Sequence, residues 1–496
     1  MRTSSRLIVI VTAALIACAP VARVAEPART DAPRALIDLP NDPIQREHAS
    51  TDPLRCTARA TIPQLNDAFE ADWSADSRYL ALSRIVTIPS DTTITGYEED
   101  QRIAVLDLAT GAITDRGTGS EPKWSGSGAW LSYWPDEKTL WIVKRTSVLP
   151  TTVLHPTQPN IQWVGDELLF WDGREIRSWR DGKVSGVATL PAELQPRYPR
   201  DDAVFSPDGA LFTLTRYANA NTERYVGVTH TGETAPLADD GAFFTEWSPK
   251  GETLLMRTTT RMSLWDGKTR SVVTSRQSAP GTVHTWLADG RLALGTVAPT
   301  VPAGNAFDRF TVWDEGAATA TLPNLLGIRA FSPDGAFFAG VTRTGLYSTQ
   351  LELWRCGVSA DTDLAGDPSV REREAKIEAD ARRFVRPTAA AITQYLQGSH
   401  TGIDIAAPNG TLIVADDAGV VSAVGVVQVG GRRVCVEHTG GLETCDYHTA
   451  LPLVNIGDHV VRGQPIALMG LTGVTTGWHV HWEVRRNGLL VDPLKQ

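Results

Sequence analysis

At 496 residues the chain is too long for one domain, and 42% hydrophobic residues are ample for buried cores. The formal net charge is −10, and no basic cluster or stripe interrupts it, which argues against nucleic acid as a partner.

Residues 1–17 read as a targeting segment. Arg2 and Arg6 form a positive start, and Leu7 to Ile16 form an apolar stretch too short for a stable transmembrane helix. Leu15-Ile16-Ala17-Cys18 resembles a bacterial lipobox. That resemblance implies cleavage before Cys18, leaving it as a new N-terminus that carries several acyl chains, an anchor far firmer than a single one. Ala19, rather than aspartate, follows, so the same pattern implies the outer membrane. An ordinary secretory signal with an incidental cysteine is the alternative. Residues 18–53, rich in Pro, Ala, Asp and Arg after the cysteine, read as a flexible tether.

Residues 54–358 repeat. An aromatic residue followed by a small turn, as in Phe205-Ser206-Pro207-Asp208-Gly209, recurs at Trp73, Trp124, Trp163, Phe205, Trp247, Trp286 and Phe331. A period near 42 with short strands and late Trp-Asp endings, such as Leu264-Trp265-Asp266, predicts a β-propeller of about seven blades. The stretch resembles WD-repeat and Tol-system propellers; Trp163 and Trp286 are the weakest markers, leaving six or eight blades open. Without Cys18, four cysteines remain for an oxidising compartment. Cys56 precedes the first marker and Cys356 ends the last repeat, so a disulfide between them would staple a ring shut. Cys435 and Cys445 are symmetric about Gly440, which fits facing strands around a turn at Thr439-Gly440-Gly441. Free buried thiols are the alternative.

Residues 359–385 read as a loop and a linker helix. Ser369-Val370-Arg371-Glu372 has the capping-box pattern, Val370, Ile377, Ala381 and Phe384 share one helical face, and Pro387 ends it. Residues 386–496 read as an antiparallel β domain, with strands at 411–415, 419–429, 433–438, 442–447, 464–469 and 478–484. The whole is thus expected to be all-β apart from the linker.

Six of the ten histidines lie in that last segment. His479 and His481 stand two apart in a strand-like run and so face one side. His400 and Asp404, four apart, would share a face of an extended segment. Two imidazoles and a carboxylate suit a catalytic zinc site with an open fourth position. His438 and His459 read as surface or turn residues.

The ordered set His400-Thr401-Gly402-Ile403-Asp404, Ala407-Pro408-Asn409-Gly410, His448, Gly457-Asp458-His459-Val460-Val461-Arg462-Gly463-Gln464, and His479-Val480-His481-Trp482-Glu483 resembles the lysostaphin-type zinc metallopeptidases that cut peptidoglycan peptides. The resemblance covers roughly residues 386–496. It implies one zinc per chain on His400, Asp404 and His481, with His448 and His479 as the catalytic histidines. It implies peptidoglycan stems or cross-links as substrate and the cell envelope as address. Asp446 and Thr449 depart from the family pattern, which places an aromatic two residues before the central histidine and an aliphatic after it; the departure bears on one wall of the groove. Two other readings follow from the propeller: a non-catalytic envelope scaffold or activator of another hydrolase, and a sensor whose propeller binds a partner and gates the peptidase.

Overall fold

The computed structural model describes residues 56–62, 65–89, 97–197, 201–218, 221–238, 241–279, 281–296, 307–313, 319–323, 329–343, 349–356 and 384–496. The leader, Cys18, the tether and nearly all of the 359–385 connector lie outside them. Phe384 and Val385, at the connector's end, are buried but not helical, and the described residues contain no α-helix.

Seven four-stranded antiparallel sheets follow one another: Ala68–Thr118, Ser120–Leu154, Gln162–Thr189, Asp201–Pro236, Phe244–Gln277, Thr282–Pro323 and Arg329–Cys356. The fourth strand of the seventh sheet is the N-terminal Cys56–Thr61, paired to Thr349–Cys356. Cys356 is disulfide-bonded and stands in register with Cys56. Every aromatic marker ends the first strand of a sheet, except Trp163, one residue short of the end.

The turn after the marker is built by its serine. The Ser206 hydroxyl donates to Asp208 Oδ1 at 2.6 Å and accepts from the Leu211 amide at 2.9 Å. Ser74 with Asp76 and Tyr79, and Ser332 with Asp334 and Phe337, repeat this arrangement. An Asx-type turn followed by an apolar strand is therefore the unit of the repeat. The second strands are buried on both faces, with Leu80, Ala81 and Leu82 each at 0% exposure, because neighbouring sheets pack against them. The first and seventh sheets share one core: Trp73, Leu80 and Leu82 pack with Val341, Leu351 and Leu353, and the Trp73 indole donates to the Ala330 carbonyl at 3.0 Å.

The C-terminal region holds an eight-stranded antiparallel sheet and a three-stranded one. In the large sheet the order is Ala391–Gln394, Ile403–Ala406, His479–Arg486, Leu442–Tyr447, Gly431–His438, Gly419–Val427 and His459–Val460, with Leu489–Val491 also on His479–Arg486. Leu412–Val414, Pro465–Met469 and Thr449–Pro452 form the small one. Cys435 and Cys445 are directly opposite and bonded, and the loop 439–441 between their strands carries Gly440 and Gly441 at φ 78° and 68°.

This region packs onto the sheets before it. Phe69 enters its core beside Ile403, Ile405 and Val480. The buried Arg386 guanidinium meets Glu99 Oε1 at 2.9 Å, and the Ile392 amide donates to Glu99 Oε2 at 2.9 Å. Leu412, Ala450 and Leu451 pack with Phe244, Val283 and Leu287.

Candidate metal centre

The site is assembled by strand register. His481 lies on His479–Arg486 between two neighbours: Asp404 opposes it on Ile403–Ala406, and Tyr447 opposes it on Leu442–Tyr447, leaving His448 just beyond that strand's end. Directly opposed residues have their side chains on one face of the sheet. His481 Nδ1 is 2.7 Å from Asp404 Oδ1; His400 Nε2 is 3.0 Å from the same oxygen and 3.1 Å from His481 Nδ1. These three side chains each offer one ligand atom within 4.8 Å of the others, so the donor set fits a small divalent cation with nitrogen and oxygen ligands. His400 reaches this point differently from the sequence expectation. The strand starts only at Ile403, and His400 projects from the preceding turn, held by a bridge to Gln397.

The surrounding groups fix the tautomers. His400 Nδ1 lies 2.9 Å from the Tyr395 carbonyl, so that nitrogen carries the proton and Nε2 is left bare. His481 Nε2 lies 3.2 Å from Thr401 Oγ1 and 3.5 Å from Glu483 Oε1. Glu483 Oε2 in turn accepts from Arg485 at 2.7 Å and from the Tyr447 hydroxyl at 3.2 Å. Burial works against the Glu483 charge, yet hydrogen bonds from His481, Thr401 and Arg485 hold the carboxyl down to about 2. Burial likewise opposes charge on His481, but Asp404 and Glu483 hold its imidazole up to about 9 without metal. Cation binding there must therefore displace a proton. Glu483 was legible only as part of the His-x-His-x-Glu motif; its role in orienting His481 needed the coordinates.

His448 and His479 form the other half of the site, with ring centroids 4.8 Å apart. His448 Nδ1 donates to the Thr472 carbonyl at 2.8 Å, and His479 Nδ1 to the Gly477 carbonyl at 2.9 Å. Each ring thus keeps a bare Nε2; that of His479 lies 3.7 Å from Asp404 Oδ1. Burial, with His479 nearby, pushes His448 down to about 4, and burial also lowers His479, so both are neutral bases at neutral pH. His448 sits at φ 63°, a left-handed conformation rare outside glycine and common at functional positions. The sequence gives no hint of it.

Two residues behave otherwise than expected. His438 is buried, bridging the Ala418 carbonyl at 2.9 Å and Thr444 Oγ1 at 3.0 Å, and it stays outside the cluster. Asp446 does not shape the groove wall. It opposes Trp482, whose side chain is in the core behind the sheet, so Asp446 points there too. Burial, and then the neighbouring Asp416, raise its pKa well above the ordinary aspartate value. The aromatic group on the site face is Tyr447, whose ring lies 5.7 Å from that of His481.

Gly402 lets the His400 turn close onto His481. A Cβ there would lie 2.4 Å from the Trp482 carbonyl oxygen and 2.9 Å from His481 Nε2. Gly402→Ala is expected to push apart the two strands that carry Asp404 and His481, at a cost of about 1–3 kcal/mol. Thermal unfolding of the pair of proteins checks this; an unchanged midpoint would contradict it.

Residues 398–493 match the Peptidase family M23. The chain is 39% identical over 95 residues to the DD-carboxypeptidase/endopeptidase Mpg of Neisseria meningitidis serogroup B, covering 19% of this chain and 22% of that one. It is 38% identical over 95 residues to the peptidoglycan DD-endopeptidase ShyC of Vibrio cholerae, with the same 19% and 22% coverage. It is also 38% identical over 99 residues to the uncharacterized lipoprotein YgeR of Escherichia coli K12, covering 20% of this chain and 39% of that one. The chain spans about a fifth of the length of Mpg and ShyC. The C-terminal part of the chain, residues 398–493, is a Peptidase family M23 domain.

Proposed function

We propose that this protein is a zinc-dependent endopeptidase that hydrolyses peptide stems or cross-links of peptidoglycan. The observation that carries the reading is the convergence of five side chains from three separate stretches: His400, Asp404 and His481 as a ligand set, and His448 and His479 beside it with bare Nε2 atoms. The printed names of Mpg and ShyC support the substrate class.

One zinc per chain, held by His400, Asp404 and His481, would supply a Lewis acid and a water acidified toward neutral pH. Tyr395 and Glu483 keep the two imidazole ligands in the tautomers that leave a lone pair on the facing nitrogen. His448 and His479, kept neutral by burial, take a proton from the attacking water or deliver it to the leaving amine; once protonated, either can donate a hydrogen bond to the oxyanion. The backbone carbonyls of Thr472 and Gly477 fix both rings through the movement of that proton.

In the same reading the seven sheets are the blades of a β-propeller over 54–358. It serves as an interaction or regulatory module and can carry a protein partner. The strand Cys56–Thr61 completing the seventh sheet, and the core shared by first and seventh, support this. Cys18 carries lipid and tethers the protein to the envelope, at the outer membrane; the lipoprotein name of YgeR supports the envelope address.

The full chain loaded with zinc and incubated with purified sacculi is expected to release peptide fragments, and a chelator to stop it. Release of no fragments, or an identical fragment profile after chelation, would sink the reading.

A further inference from the structure

The groove beside His479 does not end within the peptidase domain. A cavity of ≈350 Å³ opens next to His479 and Trp478 and runs between that domain and the first two sheets, as far as Glu70, Glu121 and Gln158. Glu70, Glu121, Asp136 and Glu137 line it, and no lysine or arginine is among its described lining residues. A cleft lined by one sign of charge concentrates ligands of the other.

Its polar groups are incomplete. Gln158 is 1% exposed, and neither its side-chain oxygen nor its nitrogen has a hydrogen-bond partner. The indole N–H groups of Trp134 and Trp478, on the same walls, also lack one. A buried carboxamide with both atoms unpaired keeps its full desolvation penalty unless a ligand or water completes it. Its donor and acceptor, side by side, match the acceptor and donor of a peptide bond. Glu70 Oε2 accepts from Ser83 Oγ at 2.5 Å and from the Glu121 backbone amide at 2.6 Å, and the Glu70 charge acts on the Glu121 carboxyl. Burial and Glu70 push the Glu121 carboxyl up to about 8, and burial raises Glu70, so the empty pair keeps a proton at neutral pH that a seated ammonium would displace. Lys123, the cation acting on both, is 4.0 Å from Asp72 instead. Among the described residues no cation forms an ion pair with Glu70 or Glu121.

We infer that this cavity is a substrate subsite that takes a peptide carrying a protonated amine, its peptide group paired with Gln158 and its ammonium seated on Glu70 and Glu121. The assignment of the bound peptide as substrate rests on the peptidase reading above. Binding itself does not. The N-terminal sheets would then form part of the specificity surface, beyond serving as a scaffold.

The test uses the zinc-loaded full chain and two probes: an N-acetylated tetrapeptide holding one lysine, and its twin with the lysine amine also acetylated. Binding is followed by tryptophan fluorescence and calorimetry. The free-amine peptide is expected to bind at least ~10-fold more tightly, as a charge-assisted contact with a carboxylate would give. In the Glu70→Gln/Glu121→Gln protein that preference should vanish, while Gln158→Leu should weaken both peptides alike. Zinc content and the unfolding midpoint monitor each variant. Equal binding of the two probes to the wild type, or an unaltered preference in a folded double variant, overturns the inference. Because nothing here requires cleavage, a selective binder that leaves sacculi intact would refute the peptidase reading and leave the subsite standing.

Discussion

His400→Ala is expected to leave the protein without bound zinc and to reduce peptide release from sacculi by at least ~10³-fold, since the metal's Lewis acidity is worth several kcal/mol of barrier. His400 is the one member of the proposed ligand set that arrives from a turn rather than from the paired strands. Its removal leaves the register of Asp404 against His481 intact, so the sheet should survive and the loss can be read as a loss of metal. His481→Ala should have the same catalytic effect with a larger penalty in stability. It strips Asp404 of its 2.7 Å partner and leaves a partly buried carboxylate exposed to an apolar neighbour. Metal analysis of the two variants beside the wild type separates these effects. One zinc per wild-type chain, absent from a folded His400→Ala protein, fits hydrolysis. A folded wild type that takes up no zinc would instead favour an envelope-binding module.

What the sequence could and could not convey follows from the range of the interactions. The alternation that placed His479 and His481 on one face is local, and so is the spacing of Cys435 and Cys445 about Gly440; both reappear as a strand face and a bonded cross-strand pair. The repeat marker is local too, since aromatic, serine and aspartate lie within four residues and close the turn by themselves. Trp163 and Trp286, whose turns carry aspartate but no serine, still fall one residue short of a strand end and at one. Pairing between distant strands has no such signature. Nothing in the order of residues says that Ile403–Ala406 should lie beside His479–Arg486, and the extended run expected from His400 onward proved to be a turn entering a strand. The same holds for the side each residue faces when its neighbours are far away. The family resemblance puts Asp446 at a wall of the groove, but the sheet turns it inward beside Trp482 and Asp416. The contacts joining the two halves, Glu99 to Arg386 and Phe69 to the peptidase core, span nearly three hundred residues or more and are invisible to any pattern of short period.

His448→Asn is expected to lower kcat by roughly 10²–10⁴-fold, the range for loss of a positioned acid or base, while zinc content stays at the wild-type level. Asparagine is the informative substitution because residue 448 sits at φ 63°, a conformation asparagine tolerates and alanine does not, so the backbone after Tyr447 should hold its path. The ring that is lost touches His479 and packs 6.2 Å from His481, but it is not one of the three side chains whose ligand atoms cluster. The pH dependence gives a second reading. With its pKa depressed to about 4 by burial, His448 is a free base through the neutral range and is protonated only as the pH falls through that value. Activity limited by its basicity should therefore persist well below pH 6.5, where an ordinary histidine would already be charged. His479→Asn offers the control, since His479 is held by the Gly477 carbonyl and lies nearer Asp404. If His448 accepts the proton and His479 steadies the developing oxyanion, the first variant should lose the acid limb of the kcat profile and the second should lower the rate without moving that limb. Zinc lost from the His448 variant would instead make that ring part of the metal's hold, and the division of labour between the two histidines would have to be redrawn.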